Sequence, residues 1–281
     1  MIILKTLENI STEKLLEVFN SSFSDYVVPF CLTQAQLEDK IKSDSIKLEF
    51  SVGAFEDDQL IAFVLHGYDT IDNLKIAYNA GTGVVPAKRG NKLTAKLYEY
   101  ILPILHENDI DKLLLEVITI NEPAIKTYKN IGFKIIRELN CYKGSLNITD
   151  TSNDFEIREL QAYDWQKLQS FWDLKPSWQN SITAVEKLKK SNISIGVYDG
   201  EKLLGYTIFN PKIKRIHQLS VDKNYRRKGV GRQLLAHIAT NYGKDISAIN
   251  IDNTSEETLK FMTNLGLDIY IKQYEMESPL K

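Results

Sequence analysis

The chain repeats itself, and an internal repeat restricts a fold more than any single motif does. "SVGAFEDDQLIAF" from Ser51 lines up with "SIGVYDGEKLLGY" from Ser194. Each is an alternating apolar run, a turn rich in acid or glycine, and a second apolar run, which predicts a β-hairpin. Upstream, "LENISTEKLLEVF" from Leu7 matches "LQAYDWQKLQSFW" from Leu160, with apolar spacings of three and four that fit an amphipathic helix. Downstream, "VVPAKRGNKLTAKLY" from Val84 lines up with "VDKNYRRKGVGRQLL" from Val221. Three matched blocks in one order imply a duplication, so the chain folds twice into one architecture.

The seam falls in "SLNITDTSND", Ser145 to Asp154, which is polar, turn-prone and without apolar periodicity. It predicts domains over 1–147 and 154–281, each of ordinary domain size. Each half runs helix, hairpin, strand, basic turn, helix, strand, helix, strand. That order predicts an α/β fold with mixed sheets and helices packed on them. At 43% hydrophobic, 26% charged and a net charge of −2, the chain has no general footprint for nucleic acid or an anionic membrane. Cys31 and Cys141 have no metal-ligand spacing, so no metal site is expected. With neither a signal-like core nor an apolar run long enough to span a bilayer, the expected location is the cytoplasm.

Against that neutral background, the basic loop of the second half stands out. "RIHQLSV", Arg215 to Val221, alternates as a strand does, and "GRQLLAHIATNY" puts Leu234, Leu235, Ile238 and Ala239 on one helical face. The loop thus joins a strand end to a helix start, where unpartnered amides and the positive end of the macrodipole attract an anion. Glycines let a phosphate approach the backbone, and Arg226, Arg227, Lys228 and Arg232 add charge. A pyrophosphate suits this better than a single carboxylate. The spacing is neither a Walker loop nor G-x-G-x-x-G.

The run Val221, Arg226-x-x-Gly229-x-Gly231, Leu234-Leu235 resembles motif A of the GCN5-related N-acetyltransferases (GNAT), whose R/Q-x-x-G-x-G/A loop holds the pyrophosphate of acetyl-coenzyme A. The resemblance covers both halves and implies two tandem acyl-CoA N-acyltransferase domains, each with a V-shaped sheet. It implies that the backbone of Leu219, Ser220 and Val221 pairs with the pantetheine arm. The cofactor loop would run on through Arg226, Arg227, Lys228, Gly229, Val230, Gly231, Arg232 and Gln233.

The first half reads Val84-x-Pro86-x-x-Arg89-Gly90-Asn91-Lys92-Leu93-Thr94, with Lys92 and Thr94 where the family has glycines. This predicts a degenerate loop. The same half carries "NEPAIKTYKNIGF", in which Asn121, Ala124, Tyr128, Gly132 and Phe133 match the family's N-x-x-A-x-x-x-Y-x-x-x-G-F motif. That match implies that Tyr128 protonates the departing thiolate, with plain helix packing as the structural alternative. The second half has Met262 at the tyrosine position and Ser255 at the asparagine position. His217, on the strand before the second loop, is a candidate base, the alternative being a hydrogen-bonded structural histidine. The expected function is transfer of acetyl from acetyl-CoA to a primary amine of a small molecule or peptide. The rival is a non-catalytic acyl-CoA-binding or scaffold protein.

Overall fold

The computed structural model describes residues 1–26, 31–148 and 155–281. They form two compact units, one of Met1–Ile136 with Tyr274–Lys281 and the other of Arg137–Gln273. The units therefore do not follow one cut at the seam, of which residues 149–154 lie outside the described residues.

The first unit runs β1 (Ile2–Thr6), α1 (Thr12–Ser22), α2 (Gln34–Ser43), β2 (Ile46–Glu56), β3 (Gln59–Ile71), β4 (Leu74–Val84), α3 (Leu93–Glu107), β5 (Lys112–Ile118), α4 (Glu122–Ile131) and the start of β6 (Lys134–Ser145). Its sheet has the order β1-β2-β3-β4-β5 and then the end of β12 (Leu267–Pro279). Two-residue turns close both hairpins: Asp57 and Asp58, then Asp72 and Asn73, all have positive φ. Asp and Asn tolerate that conformation, and consecutive left-handed residues match the twist of the strands. Val52, Val64, Ala77, Leu113 and Leu115 from the sheet pack on Leu97, Ile101 and Leu105 of α3, and Met276 of β12 completes this core.

The second unit continues with β7 (Glu156–Glu159), α5 (Trp165–Gln169), a 3-10 turn at Trp178–Asn180, α6 (Ile182–Lys187), β8 (Ile193–Asp199), β9 (Lys202–Asn210), β10 (Arg215–Val221), α7 (Val230–Tyr242), β11 (Asp245–Asp252), α8 (Glu256–Asn264) and β12. Its sheet order is β12-β6-β11-β10-β9-β8-β7. The expected α/β architecture is therefore present twice, but the first half gives most of β6 to the second unit and the second half gives the end of β12 to the first. The helix-ending glycines mark the trade. A Cβ on Gly132 would meet Ser278 Oγ at 3.3 Å in the first unit, and one on Gly266 would meet the Ser145 carbonyl at 2.7 Å in the second. Among the described residues, no helix is long and apolar enough to cross a membrane.

Candidate active site

In each unit the two parallel central strands part after a short ladder. The β4–β5 pairing runs from Ile76–Lys112 to Asn79–Leu115, whereas β4 continues to Val84. The β10–β11 pairing covers Arg215–Ser247 and Ile216–Ala248, whereas β10 continues to Val221. A bulge coincides with each parting: the β3–β4 register shifts between Leu65 and His66, and the β10–β9 register between Ile216 and Gln218. Bulges bend a strand and re-aim its groups, which opens the sheet here. Leu219, Ser220 and Val221 pair with Thr207, Tyr206 and Gly205 of β9, and their other edge has left β11.

After each parted strand comes a loop and then a helix whose first turn has no side-chain cap. Ser11, Thr33, Asn121, Asp164, Ser181 and Ser255 cap α1, α2, α4, α5, α6 and α8 through their side chains, whereas Lys92 and Gly229 leave α3 and α7 uncapped. The first intrahelical bonds are Lys96 N to Lys92 O (3.2 Å) and Gln233 N to Gly229 O (2.9 Å), so the three amides before each have no intrahelical acceptor. Such a terminus suits a pyrophosphate.

The first-half loop follows the backbone of the second. Counting from Val84 and Val221, Gly90 (φ 81°) is the counterpart of Arg227 (φ 60°), and Lys92 (φ 55°) that of Gly229 (φ 83°). Each loop takes two left-handed positions and puts glycine at a different one of them. The non-glycine residue costs about 1–2 kcal/mol in either loop. The second family glycine has a packing reason: a Cβ on Gly231 would lie 3.1 Å from the Phe261 ring. In the first half the corresponding residues are Thr94 and the smaller Thr127.

Arg226 and its counterpart Arg89 pin each loop to neighbouring backbone. Arg226 donates from Nε to the Val221 carbonyl (3.3 Å) and from a terminal nitrogen to the Phe171 carbonyl (3.1 Å), and pairs with Asp173 at 2.6 Å. Arg89 repeats this with the Val84 carbonyl (3.3 Å), the Ser22 carbonyl (3.0 Å) and Asp25 (2.7 Å). Gln233 also turns away, because its amide is spent inside α7 and its side chain donates to the Phe155 carbonyl at 2.7 Å. Ser220 donates from Oγ to the Phe171 carbonyl at 2.8 Å. Arg227 is exposed and faces Glu257 at 3.1 Å, Lys228 lies over the Tyr225 ring at 4.6 Å, Val230 is buried, and Arg232 is half-buried in the first helical turn.

Where the strands part, the two units differ residue by residue. In the first, Asn79 Nδ2 donates to Thr82 Oγ1 (2.8 Å), to the Tyr98 hydroxyl (2.8 Å) and, at longer range, to the Tyr128 hydroxyl (3.4 Å). The Tyr98 ring stands edge-on to His66 and to Tyr128. In the second unit, the corresponding residues are Ile216, Leu219, Leu235, Phe209 and Met262, all part of or packed on an apolar core. Burial pushes the Tyr128 phenol up, while bonds from Thr82 and Asn79 pull it back. The sequence reading singled out Tyr128 and missed His66, Asn79, Thr82 and Tyr98. The repeat held the signal, since each is a polar residue set against an apolar counterpart.

His217, at the bulge, is buried. On the same side, one segment bonds both parted strands of the second unit. Gln218 of β10 donates to the Asn180 carbonyl (2.7 Å), and Asn180 donates to the Ile249 carbonyl of β11 (2.8 Å). Asn250, also on β11, donates to Gln179 Oε1 at 2.7 Å. Of the tryptophans, Trp172 donates to the Tyr206 hydroxyl at 2.6 Å and Trp165 to Glu186 at 2.7 Å, while Trp178 is buried.

Burial lowers the pKa of His66 and that of His217 from 6.5 to about 4, partly offset by the Phe50 carbonyl and by a Gln179 backbone group respectively. Both side chains fold neutral, so their contribution is complete above pH 6.5 and is lost as pH falls towards 4. Each histidine then removes about 3 kcal/mol at about 1.4 kcal/mol per unit. A His66→Phe, His217→Ala variant, which borrows each residue from the opposite half, should have a flatter stability profile between pH 6.5 and 4.5 in urea titrations. A difference curve without pH dependence would contradict the burial of both rings.

The sequence profile of the acetyltransferase (GNAT) family matches residues 12–133 and 156–266. No curated protein matches the chain. Among solved structures, a tandem GNAT protein from the clavulanic acid biosynthesis pathway aligns over 100% of this chain and 99% of its own, with a TM-score of 0.73 at 12% identity. A GCN5-related N-acetyltransferase from Sphaerobacter thermophilus aligns over 100% and 96%, with a TM-score of 0.73 at 10% identity. With one family match in each half and the same architecture built twice, the chain belongs to the acetyltransferase (GNAT) family.

Proposed function

We propose that the protein is an N-acetyltransferase that moves the acetyl group of acetyl-CoA to a primary amine, and that its reacting centre is the parting of β4 and β5 in the first unit. The observation that carries this is the hydrogen-bonded cluster of Asn79, Thr82, Tyr98 and Tyr128, at positions where the second unit is apolar. The free amides of α3 and the exposed Lys92 would hold the pyrophosphate, and the edge of β4 beyond Asn79 would take the pantetheine arm. The bound thioester supplies an activated acyl carbon. Tyr128 then acts as general acid towards the sulfur, and the bulged backbone polarises the carbonyl. On the other face, Tyr78 bonds Glu116, with Asp44 and Glu275 acting on the same phenol. That acidic side suits a cationic amine, whether small molecule or peptide.

The second unit, with Leu219 to Val221 and the amides of Val230 to Arg232, would hold a further acetyl-CoA. A second reading puts the reaction there. It is favoured by His217, which is buried beside the bulge of β10 and neutral at pH 7. The segment Gln179–Asn180, bonded to both parted strands, argues against it.

The test is calorimetric titration of acetyl-CoA into wild type, Lys92→Asp and Gly229→Asp, paired with release of free thiol across peptides, polyamines and aminoglycosides. Thiol release that is lost in Lys92→Asp and kept in Gly229→Asp is the expected result. The reverse pattern supports the second reading. Binding without thiol release across the panel makes the protein a non-catalytic binder.

A further inference from the structure

The parted strands of the second unit carry a bonded strap on the side away from α7. On that side Tyr206 and Ile208 of β9 pack against Leu168, Phe171 and Val185, whereas Leu204 and Phe209 pack with the residues of α7. The bulge at His217 turns Gln218 to the strap's side, where the hydrogen bonds run in one direction. Trp172 Nε1 donates to the Tyr206 hydroxyl (2.6 Å), which donates to Gln218 Oε1 (2.9 Å), and Gln218 Nε2 donates to the Asn180 carbonyl (2.7 Å). An indole N–H can only donate and a backbone carbonyl can only accept, so both ends fix the order. Asn180 Nδ2 then gives its two hydrogens to the Ile249 carbonyl (2.8 Å) and to Ser177 Oγ (3.0 Å). Ile249 follows Ala248, the last β11 residue on the β10 ladder, so Asn180 bridges the opening itself. At the other end of the strap, the Phe171 carbonyl accepts from Ser220 Oγ and Arg226, and Asp173 pairs with Arg226. Ser177, Asn180, Tyr206 and Gln218 are all buried.

The first half lacks these groups. Counting from Val84 and Val221, Ala80, Gly81 and Gly83 stand where the second half has His217, Gln218 and Ser220, and the repeated hairpin puts Phe63 at the place of Tyr206. Gly81 is half-buried and has no left-handed φ. A Cβ there would meet the rings of Phe19 on α1 and Phe63 at 3.6 and 4.0 Å, which are ordinary contacts. Neither backbone nor packing asks for glycine at this position. Its effect is to leave the β4 bulge without a side chain on the side where the second unit is strapped.

We infer that residues 171–180 occupy the acceptor side of the second unit, so that this unit holds acetyl-CoA without passing its acyl group on, and that Gly81 keeps the matching side of the first unit open to the amine. The inference rests on the reading that the amine approaches from the side opposite Tyr128. Direct attack needs the amine nitrogen about 3–3.5 Å from the acyl carbon, and Asn180 fills that approach between β10 and β11. Lifting the strap would leave the Gln218 side chain and the Tyr206 hydroxyl without the partners that satisfy them, which keeps it shut. The polar contrast between the halves is thus reversed from one side of the sheet to the other. The first unit is hydrogen-bonded around Tyr128 and bare at Gly81, whereas the second is apolar at Met262 and hydrogen-bonded at Gln218.

The test uses the full chain. Hydrogen exchange follows the amides of Asn180 and Ser181, which donate to the Ser177 and Trp178 carbonyls at 3.0 and 3.1 Å. They should exchange at least about 10²-fold more slowly than exposed amides, both without and with saturating acetyl-CoA. In Lys92→Asp, calorimetry should show one equivalent of acetyl-CoA bound, and the amine panel should release no thiol above the buffer rate. Gly81→Gln, which brings the second unit's side chain into the first, should raise KM for the best amine of the panel at least about tenfold, with the Kd of acetyl-CoA unchanged. Gly81→Ala, whose Cβ has room, should stay folded and shift KM in the same direction by less. Loss of the Asn180 and Ser181 protection on binding acetyl-CoA would make the strap an opening lid and overturn the inference. Amine-dependent thiol release in Lys92→Asp, absence of binding there, or an unchanged amine KM in Gly81→Gln would overturn it as well. If wild type releases no thiol while protection and binding hold, the closed second unit stands and the reading of the first unit as the reacting centre falls.

Discussion

Replacing Tyr128 by Phe should lower kcat by about 10²- to 10⁴-fold, the usual range for loss of a general acid, with binding of acetyl-CoA little changed. The ring itself is structural: it packs edge-on to Tyr98 and Phe133, and Phe keeps those contacts. What Phe removes is the hydroxyl, which Asn79 Nδ2 reaches at 3.4 Å. The predicted signature is therefore a loss confined to kcat, with the melting temperature nearly unmoved. Met262→Leu in the second half should leave both quantities alone, because Met262 is a core residue there. Full activity in Tyr128→Phe, joined to loss of activity in Gly229→Asp, would move the reaction to the second unit and make the first-unit cluster a folding feature.

The elements inside the three repeated blocks were legible in the sequence, because they carry hairpin and helix periods that local physics enforces, whereas β1, α2, β7 and α6 lie outside the order it predicts. The loop cations were legible only as charge. That Arg89 and Arg226 each reach a valine carbonyl five residues back follows from the path of the loop, and a count of cations does not contain that path. Motif spacing also could not show the backbone of the first loop. It asked for glycine at Lys92, whereas the backbone requirement is two left-handed positions, which each half fills with a different placement of its glycine. The cluster around Tyr128 was hidden because β3, β4, α3 and α4 each contribute to it, and each residue alone reads as part of an amphipathic element. Comparison of the halves exposes it. Five corresponding positions are polar or phenolic in one half and apolar in the other, and packing alone asks for no such coordination.

The exchange of last strands was the least visible feature, because both terminal strands have similar apolar patterns and the chain offers a plausible cut between them. It has a sharp mechanical consequence at Gly144. A Cβ there would sit 2.1 Å from the Gly266 carbonyl oxygen and 3.2 Å from Leu267 Cα, so the obstacle is backbone at both contacts. Overpacked sites typically cost about 1–3 kcal/mol when side chains can yield, and more where they cannot. Gly144→Ala should therefore cost more than about 3 kcal/mol. At about 2–4 °C per kcal/mol for a domain of 150–250 residues, its melting point should fall by roughly 10 °C. Gly266→Ala should be milder, since its Ser145 neighbour is 2.7 Å away and the remaining strain comes from a φ of +84°. Gly200→Ala, with φ +56° and nothing within 4 Å, isolates the conformational term at about 1–2 kcal/mol. Thermal melts of the three variants should rank in that order. If Gly144→Ala melted with Gly200→Ala, β6 would not lie against Gly266, and the chain could be cut at its seam into two separately folding halves. If the ranking holds, cutting there leaves the first half without Met276 and the end of β12, which complete the core beneath the Tyr128 cluster.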